Sequence, residues 1–184
     1  MDTIQALQTR QSAGRLGEPA PPPDVLEVAF QCAMAAPDHG RLRPARFIVV
    51  EGEGREKLGG MLAESLRRRK PDSPPDELER ASKKALRAPM IIVAVCSPQE
   101  GKIPLIEQML SVGASVENLL LALHAQGYGA MWRTGDAAYD EGVKRGLGIA
   151  AADHIIGFVY AGTPLAAKEQ GARAQPPNAI RHLR

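Results

Sequence analysis

Arg10 and Ser12 share one turn near the start of the chain. A guanidinium and a hydroxyl so placed can both donate to one phosphate, the arginine through a bidentate fork. The same turn also reads as an ordinary solvated one. Further along, Trp132-Arg133-Thr134-Gly135 offers a flat ring, a cation, a hydroxyl and backbone N–H groups at the end of an apolar run. That set suits a phosphate or the polar edge of a flat heterocycle, and fits a plain loop equally well. A third concentration lies in residues 35–50, where positions 37–46 hold one His, three Arg, one Asp and two Pro. Functional side chains gather on loops held between rigid elements.

Several other chemistries are excluded. The sequence has no Gly-x-Ser-x-Gly elbow and no Walker loop. His39, His124, His154 and His182 lie far apart and none has His-x-x-x-His spacing, so no metal site is expected. Cys32 and Cys96 read as small buried hydrophobes in a reducing, cytoplasmic setting. The start lacks the charged and apolar regions of a signal peptide, and no apolar run approaches the ~18 residues of a membrane helix. A net charge of +2 gives no pull toward nucleic acid or a membrane surface. The basic run Arg67-Arg68-Arg69-Lys70 reads as a solvated helix end, where cations suit the macrodipole.

The elements that must position these groups follow from periodicity. Residues 3–9 form a short helix capped by Asp2, and residues 24–36 a second capped by Asp24. Helices are also expected over 55–69, 75–86 and 139–147. Residues 103–126 carry the longest pattern, apolar nearly all round, which suits a helix packed on its own domain and on a second subunit. Strands are expected near 46–51, 89–96, 127–133 and 154–161; the run from Met90 to Val95 has the continuous apolar character of a strand buried on both faces. Gly127 and Gly129 follow a helix and precede a strand, so they read as a helix stop rather than a dinucleotide fingerprint. Together these predict one α+β or α/β layered domain over 1–184, with a mobile excursion near 66–76 and an extended tail from about 165.

Taken in order, Arg10-Gln11-Ser12, Ala36-Pro37-Asp38-His39 with Arg43-Pro44 and Phe47, residues 127–135, and residues 157–164 resemble the nitroreductase family. The likeness is strongest to its compact bacterial branch of NAD(P)H nitroreductases and spans nearly the whole chain. The resemblance implies an α+β three-layer sandwich, a central mostly antiparallel sheet flanked by helices, in a homodimer with FMN at the subunit interface. It implies that Arg10, Gln11 and Ser12 hold the FMN phosphate and ribityl chain. Trp132, Arg133 and Thr134 would complete that side, and His39 would reach the FMN of the other subunit. Residues 122–127 would meet the nicotinamide nucleotide. The implied activity is transfer of hydride or electrons from NAD(P)H through FMN to an electron-poor acceptor, such as a nitroaromatic or a quinone. No side chain is assigned as catalytic acid or base. A flavin-binding sensor or scaffold without turnover is the alternative. Four junction positions depart from the family pattern: Ala35 replaces an Arg, Arg41 and Arg43 replace Asn or Gln, and Ala45 replaces a Trp. Gln11 also takes the place of a second Arg.

Overall fold

The sheet is assembled around Met90–Cys96, a strand in which all seven residues are buried. In a computed structural model, which describes residues 1–166 and 179–183, the elements run α1 (Thr3–Thr9), β1 (Leu16–Gly17), α2 (Pro23–Met34), β2 (Ala45–Glu51), α3 (Glu53–Arg69), α4 (Pro75–Ser82), β3 (Met90–Cys96), α5 (Leu105–Ala125), β4 (Gly129–Arg133), α6 (Glu141–Gly146) and β5 (His154–Pro164). Short 3-10 turns lie at His39–Arg41, Lys83–Leu86 and Asp136–Tyr139.

All strand pairs are antiparallel, in the order β2-β3-β5, with β4 and β1 side by side along the outer edge of β5. Alternation along β3 divides the core. Ile91, Val93 and Val95 face a layer that includes Leu58 of α3 and Val143 of α6. Met90, Ile92 and Ala94 face Ala29 and Ala33 of α2 and Val116, Leu119 and Leu123 of α5. The result is the expected α+β three-layer sandwich. Full burial of each such Ile or Val contributes roughly 1.5–3 kcal/mol.

Local chemistry explains the element ends. Asp2 caps α1, accepting from the Gln5 N–H at 2.9 Å. Asp24 does not cap α2: Pro22 holds that position and Pro23 opens the helix, where its fixed φ is already helical, leaving Asp24 in the first turn. Cys96 is buried as expected, but Cys32 is exposed, because α2 turns Ala29 and Ala33 inward and leaves Cys32 outside. β1 escaped the periodicity, since a two-residue strand carries no period. Residues 66–69 are the last turn of α3, and residues 70–74 link it to α4 with Lys70 paired to Glu77 at 3.1 Å. Most of the tail expected from 165 lies outside the described residues. No helix among the described residues is long and apolar enough to cross a membrane.

Candidate active site

Two backbone links bring the first two candidate segments together. Ser12 forms a parallel bridge with Ala130, and the Ala13 N–H donates to the Ala130 carbonyl at 3.0 Å. The segment leaving α1 therefore lies along β4. Arg10, Ser12, Trp132 and Thr134 line one cleft of about 370 Å³ with Glu117 and Leu120 of α5. Arg10 is held there by a 3.2 Å ion pair from Nε to Glu117 Oε1.

Trp132 forms part of the wall and its ring is fixed. Its indole N–H donates to the Ile156 carbonyl at 3.2 Å. A Cβ at Gly157 would collide with the indole Nε1, so only glycine leaves room for the ring. The indole also lies near Gly113 of α5. Thr134 follows at the strand's end, where Gly135 has φ +119°, a backbone conformation that strongly favours glycine.

Gln11 lines a neighbouring cleft of about 640 Å³ with Ser12, Thr9, His124 and Gly127. There the Thr9 hydroxyl donates to the Gln5 carbonyl at 2.7 Å, which leaves its oxygen to accept from His124 Nε2 at 2.8 Å. Burial and then the Arg10 charge lower the His124 pKa, consistent with a neutral ring that donates from Nε2. Arg133 behaves differently. Strand alternation puts Trp132 on the α5 side, whereas Arg133 lies across the Tyr160 ring, 5.6 Å from its centroid, beside the cleft on the opposite face.

His39 stands apart from this group. Its Nδ1 lies 2.6 Å from Glu107 Oε2. Glu107 and Glu117 are ten residues apart on α5, roughly 15 Å along the axis. These two carboxylates, which sequence reasoning passed over, each meet a member of the candidate set. The signal was their rarity: they are the only acidic residues of α5.

The junction itself is tightly wound. Gly40, Arg41 and Arg43 have φ of +73°, +55° and +51°. Asp38 holds the turn, its carboxylate accepting from the Arg43 N–H at 2.6 Å. Of the four departures, Ala45 is buried against Cys96 and Val112. Arg41 and Arg43 are exposed on left-handed backbone, and Ala35 ends α2.

The fold and the ordered site segments agree with one family: its sequence model, that of the nitroreductase family, matches residues 8–163. The chain belongs to the nitroreductase family. Membership places it among oxidoreductases. The YdjA protein of Escherichia coli (strain K12), provisionally named an NAD(P)H nitroreductase, is 38% identical over 165 residues, 89% of each chain. The crystal structure of a nitroreductase-like family protein from Bacillus cereus superposes with a TM-score of 0.85 at 22% identity, covering 100% of this chain and 96% of the other. A nitroreductase with bound FMN from Bacteroides fragilis gives 0.77 at 14% identity, covering 100% of both chains. Both structures share the nitroreductase fold with this chain.

Proposed function

We propose that this protein is an FMN-dependent NAD(P)H oxidoreductase acting on an electron-poor acceptor such as a nitroaromatic or a quinone. One observation carries the reading: Arg10, Ser12, Trp132 and Thr134 converge on a single cleft. The donor set fits FMN. A guanidinium and two hydroxyls match a phosphate and a polyhydroxyl chain, and an immobilised indole matches a flat heterocycle. Bound FMN supplies the relay between a hydride donor and an acceptor.

The chain's own residues do the rest. Arg10 presents its cation to the phosphate, and the Glu117 carboxylate already holds it in that orientation. Ser12 and Thr134 donate hydroxyls. Gln11 extends the site toward the larger cleft, where residues 122–127 meet the nicotinamide nucleotide. Arg133 contributes through its main chain, its guanidinium being turned away. Trp132 walls off solvent.

The assembly is a homodimer, with His39 serving the partner's FMN. Ile106 and Leu110, one turn apart on α5, are 61% and 66% exposed in the protomer. Apolar surface of that kind supports a subunit contact. The single domain functions in the cytoplasm.

The visible spectrum of the purified protein tests the cofactor. A yellow protein, or a colourless one that takes up added FMN, agrees with the proposal; one that refuses FMN refutes it. Bleaching by NAD(P)H and reoxidation by a quinone distinguish an enzyme from a flavin-binding sensor or scaffold, which would bind FMN and stay yellow.

A further inference from the structure

The face of the sheet away from α5 carries a third cleft, of about 420 Å³. Its floor is apolar: Leu62 and Leu66, one turn apart on α3, and Phe158 of β5. Its rim is basic. Lys84 and Arg87 come from the turn behind α4, and Arg133 from the end of β4, where it stands opposite Phe158 in register. Among the described residues, none of these three cations has an ion-pair partner. Among the described residues, the one carboxylate on the lining, Asp136, is taken by Arg69 at 2.5 Å. Neighbouring cations are paired locally: Arg80 with Asp76, and Lys83 with Glu79.

Tyr160 adds a second, independent observation. The residue is only 7% exposed, yet it lines this cleft, and its hydroxyl makes no hydrogen bond among the described residues. The hydroxyl itself is not sealed in the core but open to the cleft. Burial pushes its pKa up, while the charges of Arg133 and Arg87 pull it down, so both cations act on the same hydroxyl. Unpaired cations and an unused donor therefore surround a volume whose floor is greasy. Like charges gathered on one concave surface repel, and an entering anion relieves that repulsion.

We propose that this cleft binds a small aromatic carboxylate. Its anionic group meets Arg87, Lys84, Arg133 and the Tyr160 hydroxyl, and its ring lies on Leu62, Leu66 and Phe158. Arginine's planar fork suits a carboxylate, and the apolar floor rewards a ring over a bare inorganic anion. The site is distinct from the FMN cleft and does not depend on turnover, although Thr134 borders both.

Isothermal titration of the purified protein with benzoate, benzyl alcohol and inorganic phosphate tests the proposal without reference to activity. Benzoate is expected to saturate, with the alcohol and phosphate each about tenfold weaker or more. Arg87→Gln is expected to cost benzoate about tenfold or more, as for loss of a hydrogen bond to a charged group. Its melting temperature should hold, since Arg87 is exposed. Lys84→Gln provides a second, equally exposed variant. Absence of benzoate binding overturns the proposal. So does benzoate binding that both variants leave unchanged, which would place the anion elsewhere, including at the flavin. Phosphate binding as tightly as benzoate overturns the aromatic assignment.

Discussion

Gly157 and Trp132 illustrate how one residue's absent side chain can fix another's ring. Gly157→Ala would place a Cβ against the indole and 2.9 Å from the Arg133 carbonyl. We expect a loss of about 1–3 kcal/mol from overpacking, with weaker FMN retention in the same variant; thermal melting and flavin titration measure the two. An unchanged melting temperature would show that the ring moves freely. Arg10→Ala acts on binding instead. It should weaken FMN retention by roughly 1.5–3 kcal/mol, the range for a hydrogen bond to a charged group. Equilibrium dialysis checks this, and unaltered affinity would remove Arg10 from the phosphate site.

Between elements, the clearest electrostatic tie joins α3 to α6. Arg68 meets Asp140 at 2.5 Å, and Asp140 also caps α6 by accepting from the Val143 N–H at 2.9 Å. Burial pushes the Asp140 carboxyl up, but the Arg68 hydrogen bond, the Val143 N–H and the Arg68 charge overcome it and hold the pKa at about 2, against an ordinary 3.8. A carboxyl lowered in the folded state stabilises above its unfolded pKa. That contribution should vanish as pH falls from about 4 toward 2. Asp140→Asn should flatten the acid limb of a stability-versus-pH curve over that window, and an identical limb would deny the tie. The main elements were legible in the sequence because their periods are long: β3 as a continuous apolar run, α5 as an extended helical pattern. What stayed hidden depends on partners distant in sequence. Nothing near Cys32 announces which face α2 turns outward, and nothing near Arg133 says that alternation sends its guanidinium to the far side of the sheet. The short positive-φ run at Gly40, Arg41 and Arg43 was equally silent, because Asp38 enforces it through a backbone N–H rather than through any residue pattern.

For the whole molecule, the proposed homodimer rests on the apolar surface that α5 leaves open. Leu110→Arg places a charge on that surface without touching the protomer's core, since Leu110 is 66% exposed. The variant should elute as a folded monomer in gel filtration and lose FMN with its partner. A monomer that keeps its FMN would show that the cofactor site is complete within one chain. α5 has a further consequence, set by angular phase. Glu107 and Glu117 each fix a candidate residue, and at about 100° per residue they point about 80° apart around the helix axis. One residue inserted between them would turn one carboxylate by about 100° relative to the other and slide it only about 1.5 Å. Length change in this stretch is thus felt as rotation long before it is felt as distance. Insertions belong in the links between elements, and residues 107–117 keep a fixed count.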